Sequence, residues 1–383
     1  MQFEFATATR ILFGAGTVRQ LGGIAASIGK CILVVYNLPE ARTAPVFNDL
    51  TARGLRVVPF AINGEPTVTI VAEGVKLADH NGCDLVVGFG GGSAIDGAKA
   101  VAALTTNPGD IYNYLEVIGK GLPITNQPIP IIAIPTTAGT GAEVTRNAVI
   151  GVPEYQMKVS LRSPLLLPKL AIIDPDLTVG LPPNITASTG LDALTQLIEA
   201  YVSIKANPLT DTICRGGIER VAHSLRKAYE VDDPCAREEM SLASLFGGLA
   251  LANSGLGTVH GFASVLGGMY PAPHGAICSQ LLPSVMEANL RALQARMPES
   301  QALRRYRDVA QIVTSTSDAG AVDGIAWVRM LCNQLHVSPL SVYGITSWDF
   351  PQIIEKTAQA SSTKANPIQL TPDELREVLG SSL

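Results

Sequence analysis

Charge is scarce in this chain. Of its 383 residues only 28 are Lys or Arg and 33 are Asp or Glu, leaving a formal net charge of −5. Without an excess of basic surface, neither nucleic acid nor an anionic membrane is expected as the main partner, because both are bound through clustered cations. Six cysteines (Cys31, Cys83, Cys214, Cys235, Cys278 and Cys332) are scattered without a C-x-x-C pair, which argues against a disulfide framework and against a zinc finger. A reduced, cytoplasmic protein is expected. The opening MQFEFATATRILFGAG has neither a basic n-region nor a sustained apolar core, so no signal peptide is expected. Disorder is excluded from the opposite side: mean hydropathy is +0.26, too apolar for a solvating chain.

The length suggests about two domains, each able to bury a core. From Met240 to Met286 there is no Asp, Glu, Lys or Arg, but Asn253, His260, His274, Pro271 and Pro273 interrupt the run. A lipid-exposed span needs about 20 predominantly apolar residues together, so this stretch reads as buried helices of a soluble domain. In the first half, CILVVY (Cys31 to Tyr36), LRVVPFAI (Leu55 to Ile62), DLVVGFG (Asp84 to Gly90) and PIIAIP (Pro130 to Pro135) are short runs apolar on both faces. Amphipathic stretches, Thr67 to Asn81 and Ser93 to Thr105, lie between them. That alternation predicts a parallel α/β sheet covered on both sides. After about Gly180 the strands stop, and segments beginning near Thr186, Asp211, Arg237, Gly261 and Glu299 have helical periodicity. The expected division is an α/β domain over 1–180 and a helical domain over 181–383, joined at DPDLTVGLPP.

Two loops of the first half are candidates for binding a phosphate-bearing ligand. Gly90-Gly91-Gly92-Ser93 follows a strand and opens a helix, where the chain can turn sharply and a phosphate can approach helix N–H groups. The alternative is a plain strand-to-helix corner. Asp96 and Lys99, one turn apart, read either as groups orienting a ribose or nicotinamide or as a solvated i,i+3 pair. AIPTTAGTGAEVTRNAVI places Thr136, Thr137, Thr140 and Thr145, with Asn147, just after another strand. Carboxyl ends of strands in open α/β sheets are where ligands bind.

The second half carries metal-ligand types. TGLDALTQLIEAY sets Asp192 and Gln196 on one helical face. His260 follows a GLGT turn, and His274 sits in the proline-framed loop PAPHGAIC. Each histidine alone reads as a buried hydrogen-bonder; together with Asp192 they are ordinary ligands for Zn²⁺ or Fe²⁺. His80, His223 and His336 read as surface positions.

ILFGAG, GGGSAIDGAK, IPTTAGTGAEVT, LAIIDPDLT, TGLDALTQLIEAYVS, HGFASVLGG and PHGA, in this order, together resemble the iron-containing (group III) alcohol dehydrogenase family over nearly the whole chain. The resemblance implies a dehydroquinate synthase-like fold: a Rossmann-like N-terminal dinucleotide-binding domain, an all-helical metal-binding domain, and an active site in the cleft between them. By position it implies that Gly91, Gly92, Ser93 and Asp96 hold the pyrophosphate and ribose. Thr136, Thr137, Thr140 and Lys158 would line the dinucleotide, with Leu177 an apolar contact. Asp192, His260 and His274 would be metal ligands.

Three departures from the family pattern matter. Gln196 stands where the family has a fourth ligand, a histidine; it would ligate through its amide oxygen or leave three ligands, as in the related glycerol dehydrogenases. Ser264 replaces a histidine of the family's proton path. Asn37 ends the CILVVY strand where NAD-preferring members carry an aspartate, which opens the way to NADP, with Arg42 a candidate phosphate partner. The implied activity is alcohol oxidation or aldehyde reduction with NAD or NADP and Fe²⁺ or Zn²⁺ in a homodimer or larger homo-oligomer. Asn147 and Leu251 are candidates for a largely apolar substrate pocket. The rivals are a metal-independent reductase resembling maleylacetate reductase, a lyase resembling dehydroquinate synthase, and an inactive nucleotide-binding homologue.

Overall fold

A computed structural model describes residues 2–383. They form two compact units, one of Ala6–Thr137 with Gly141–Val179, the other of Gly180–Leu383 with residues 2–5 and Ala138–Thr140.

The first unit alternates β1 (Ile11–Phe13), α1 (Leu21–Ala26), β2 (Cys31–Tyr36), α2 (Glu40–Ala52), β3 (Arg56–Ala61), α3 (Val68–Asn81), β4 (Leu85–Gly90), α4 (Gly92–Thr106) and β5 (Ile131–Pro135). A hairpin follows, β6 (Asn147–Val152) and β7 (Met157–Arg162), and then β8 (Leu170–Ile173). Six strands form one parallel sheet in the order β1-β8-β5-β4-β2-β3, while β6 and β7 pair antiparallel by themselves. β2, β4, β5 and β8 are almost wholly buried, as their unbroken Val/Ile runs require. Two expectations need correction. β3 is not buried on both faces; it is the sheet edge, largely exposed, and Pro59 within it suits a strand with one unpaired side. α4 is not amphipathic either, because ten of its fifteen residues are buried. The β6–β7 hairpin was not legible in the apolar pattern.

The chain leaves β2 in both directions along the sheet: β3 lies on one flank and β4 on the other. This is the topological switch point, where the carboxyl ends of neighbouring strands splay and leave a crevice. It puts the residues after Tyr36 beside those after Gly90, since Tyr36 is in register with Phe89.

The second unit is helical: α5 (Pro183–Val202), α6 (Pro208–Val231), α7 (Pro234–Ser254), α8 (Thr258–Met269), α9 (His274–Arg296), α10 (Gln301–Thr314), α11 (Ala321–Gln334), α12 (Phe350–Gln359) and α13 (Pro372–Gly380). Prolines open several of these helices, among them Pro183 of the expected connector. Pro183, Pro208 and Pro234 occupy first-turn positions, where the absent N–H costs nothing and the fixed φ is already helical. α5 is buried continuously from Gly190 to Val202 and packs against α6, α7 and α9. Among the described residues no single helix is long and apolar enough to cross a membrane. α7 and α8 pass that test of composition only as a pair, bent by 101° at their break, and most of their residues are buried within the helical unit.

Candidate active site

At the switch point of the sheet, Asn37 accepts a hydrogen bond through Oδ1 from the N–H of Gly91 at 3.1 Å. Gly90, just before, has φ +152° and a Cβ there would collide with the Asn37 side chain, so both backbone conformation and space demand glycine. Gly91 is the N-cap of α4 and has no side chain to cap it, which leaves first-turn N–H groups for an anion. Thr137 flanks the same glycine, its Oγ1 3.7 Å from where a Gly91 Cβ would stand. The fold therefore brings together Asn37, Gly91, Gly92, Ser93 and Thr137. Thr136 is buried beside them, its N–H bonded to the Gly90 carbonyl. Ser93 and Lys158 are linked through Glu65, at 3.4 Å and 2.9 Å; Glu65 had no signal in the sequence. Leu177 lies in a 3₁₀ turn (Pro175–Thr178), and its carbonyl accepts from the Arg42 guanidinium. Thr140 belongs to the short stretch that clusters with the helical unit.

Behind the glycine turn, Lys99 is fully buried and is not the solvated half of an ion pair. Its ammonium donates to the Thr145 carbonyl and hydroxyl at 2.8 Å each and to the Asn147 carbonyl at 3.0 Å. Thr145 and Asn147 thus anchor their loop to α4. Burial pushes Asp96 up to about 7 against the pull of Lys99, and pushes Glu143 from an ordinary 4.5 up to about 7. A carboxyl that binds its proton more tightly when folded stabilises most below its unfolded pKa and loses that contribution as pH rises through the folded one. Stability should fall between about pH 4.5 and 7 from both groups. Glu143→Gln should flatten part of that slope in urea midpoints taken across the window; parallel curves for parent and variant would refute this account of Glu143.

In the helical unit, Asp192, Gln196 and Glu199 stand at i, i+4 and i+7 of α5, hence on one face. All three are buried, and polar groups in so apolar a helix are costly unless something satisfies them. His260 comes from the first turn of α8. His274 is not in a loop; it is the first residue of α9, set by Pro273 at the N-cap. A Cβ at Gly275 would strike the Ser188 backbone, so glycine lets this first turn come close to α5. His260 Nε2 lies 3.4 Å and His274 Nε2 3.7 Å from Asp192 Oδ1. Cys278, one turn along α9, places its sulfur 3.7 Å from His274 Nε2, and these four donor atoms lie within 4.8 Å of one another.

Glu199 decides what His260 offers. Its carboxylate accepts the N–H groups of Gly257 at 2.9 Å and Val259 at 2.7 Å, and meets His260 Nδ1 at 2.7 Å. With Nδ1–H donating to Glu199, Nε2 presents its lone pair toward Asp192 Oδ1, and neither Nε2 nor Oδ1 has a hydrogen-bond partner. Two acceptors facing each other need a cation. A proton is one solution: burial opposes charge on His260, but Asp192 and Glu199 outweigh it and push its pKa up to about 9. A divalent ion is the other, and a carboxylate orienting the far nitrogen is the usual support of a metal-binding histidine. The donor set and the orphaned atoms fit a metal.

From the sequence, Gln196 is expected either to ligate through its amide oxygen or to leave three ligands. Its amide nitrogen donates to Asp192 Oδ2 at 3.2 Å, while its oxygen, also without a partner, faces Gly247. Glu199 and Cys278 were missed, although the helical spacings of i+7 from Asp192 and i+4 from His274 were there to be read. The hydroxyl of Ser264 donates to the Gly261 carbonyl at 2.8 Å. Leu251 is half-buried in α7. His80, His223 and His336 are exposed, as expected.

Comparison with known proteins accounts for both units. A family model described as iron-containing alcohol dehydrogenase matches residues 8–175, and its C-terminal counterpart matches 186–383. A choline dehydrogenase from Bacillus subtilis (strain 168) is 34% identical, over 96% of this chain and 91% of its own length. A solved 1,3-propanediol oxidoreductase superposes with a TM-score of 0.91 at 32% identity, covering both chains completely. A sulfoacetaldehyde reductase from Bifidobacterium kashiwanohense, solved in complex with NAD⁺, superposes at 0.85 with 27% identity, over 100% of this chain and 99% of that one. Matched along both units, with a metal-type donor cluster in the second, the chain belongs to the iron-containing alcohol dehydrogenase family, a metal-dependent alcohol dehydrogenase or aldehyde reductase linked to a nicotinamide dinucleotide.

Proposed function

We propose that this enzyme interconverts a short alcohol and its aldehyde, with the dinucleotide on the sheet unit and a divalent ion held by Asp192, His260 and His274. The observation that carries the metal assignment is the pair of facing lone pairs, Asp192 Oδ1 and His260 Nε2, fixed by Glu199 in a buried place. When bound, the ion supplies Lewis acidity toward the substrate oxygen, and the nicotinamide carries the hydride. The chain's own residues do the rest. Asp192 brings a negative charge held by Gln196, and His260 and His274 bring neutral nitrogens, His274 being the more exposed of the pair at 32%. On the sheet unit, first-turn N–H groups of α4 take the pyrophosphate, with Ser93, Asp96, Thr136, Thr137, Lys158 and Leu177 around the nucleotide; Thr140, of the stretch that clusters with the helical unit, is the remaining candidate. The substrate class is supported by the choline, propanediol and sulfoacetaldehyde enzymes that the chain resembles. Metal analysis of protein purified without chelator, then an alcohol and aldehyde panel with both cofactors, tests the reading. Full turnover by metal-free enzyme would sink it.

Both NAD and NADP are accepted in this reading. Asn37 is neutral and sits on the glycine turn through Gly91, so the side chain at that position carries no charge to repel a 2′-phosphate. Asn37→Asp keeps the acceptor for the Gly91 N–H and adds a charge. A charge repelling the 2′-phosphate through partly screened solvent is worth about 1 kcal/mol or more, so kcat/KM for NADPH should fall roughly tenfold while NADH changes little. Unchanged NADPH kinetics would remove Asn37 from the ribose site.

A further inference from the structure

We propose that Cys278 is the fourth protein ligand of the metal, taking over from the histidine that the family places at Gln196, and that its thiolate makes zinc rather than iron the preferred ion. This rests on the metal reading above. The geometry is specific. His274 and Cys278 are one turn apart on α9, so one helical face presents both donors to Asp192. Nitrogen or oxygen donors at ~2.0–2.1 Å from one ion stand about 3.3 Å apart at near-tetrahedral angles, and a thiolate at ~2.3 Å stands about 3.6 Å from them; with four protein donors the substrate oxygen would enter as a fifth ligand, an expansion that zinc allows. Three of the spacings are 3.4 Å for His260 to Asp192, 3.7 Å for His274 to Asp192 and 3.7 Å for Cys278 to His274, and the remaining pairs lie within 4.8 Å. Meanwhile Gln196 has turned its nitrogen to Asp192 Oδ2 and its oxygen toward Gly247, which makes it a positioning residue for the carboxylate. The other buried cysteines differ. Cys332 donates to the Ser279 carbonyl, Cys31 and Cys83 face each other at 3.6 Å, and Cys214 packs in the hydrophobic core of the helical unit, all outside the donor cluster. Coordination releases the Cys278 thiol proton to solvent and leaves a soft, charged sulfur on the ion. Thiolate favours Zn²⁺ over the harder Fe²⁺.

The probe is cobalt, which reports its own ligands. Full-length enzyme produced with Co²⁺ supplied in place of zinc should show visible d–d bands and a near-ultraviolet thiolate-to-cobalt charge-transfer band. Cys278→Ser should keep the d–d bands and lose the charge-transfer band; Cys332→Ser should keep both. In anaerobic competition between equal zinc and iron, the parent should retain zinc, and Cys278→Ser should lose that preference at least tenfold. Should Cys278→Ser fail to fold, the parent spectrum alone decides. Cobalt bound with d–d bands but no charge-transfer band overturns the Cys278 assignment and leaves the three-ligand site standing. A charge-transfer band that survives in folded Cys278→Ser overturns it likewise. No cobalt binding, or equal binding by Asp192→Ala, overturns the metal reading and this inference together.

Discussion

His260→Ala should leave the enzyme almost without metal and reduce turnover by about a thousandfold or more, while dinucleotide binding persists. The size follows from what is removed. Changes to groups that merely support a ligand typically cost 10–100-fold in metal affinity or activity, and here a ligand itself goes. Asp192 Oδ1 would lose the nitrogen 3.4 Å away, and Glu199 would lose its partner at Nδ1. The switch-point residues Asn37, Gly91 and Thr137 are held by the sheet unit's own contacts, so NADH titration by fluorescence should match the parent. His274→Ala should act in the same direction. Metal content by elemental analysis and single-turnover rates check the claim. If His260→Ala retains stoichiometric metal and parental turnover, the ligand assignment is wrong.

Glu199→Gln is expected to damage both the metal site and the fold, although the side chain touches no substrate in this reading. Both carboxylate oxygens already accept: Oε1 from Val259, Oε2 from Gly257 and from His260. An amide turns one acceptor into a donor, and whichever way it is placed it faces at least one N–H. If it faces Val259, a buried backbone donor is orphaned; if it faces Gly257, His260 also loses the acceptor that fixes its tautomer. An unsatisfied buried donor costs about 1–3 kcal/mol, and loss of the orienting carboxylate costs about 10–100-fold in metal affinity. Gly257 leaves no room for relief, because a Cβ there would lie 2.8 Å from Glu199 Oε1. Urea unfolding and zinc competition with a chelator measure the two parts separately. A variant with parental metal affinity would show that His260 is oriented by something other than Glu199.

Much of this was legible in the sequence because its signals are local. The Val and Ile runs of β2, β4 and β5 can only be buried on both faces, and glycine after β4 can only mean a turn that a side chain would obstruct. Asp192, His260 and His274 stood out because polar side chains are costly in an apolar stretch, and the ordered motifs pointed to the family. The sequence did not contain the partners. Lys99 read either as a ligand-orienting group or as half of a solvated pair, because i,i+3 spacing says nothing of what folds over a helix; three acceptors from the Thr145 loop hold it in the interior. β3 looked like its neighbours because hydropathy does not reveal which strand ends a sheet. His274 looked like a loop residue because Pro273 can end one element or begin another, and only packing against α5 selects the second. Glu199 and Cys278 were visible at helical spacing, but their meaning depends on which of their atoms face Asp192 and His260 across segments more than fifty residues apart. Composition and periodicity determined the kinds of group this protein carries. Tertiary packing, which brings three helices within hydrogen-bonding distance, decided which lone pairs point at one another.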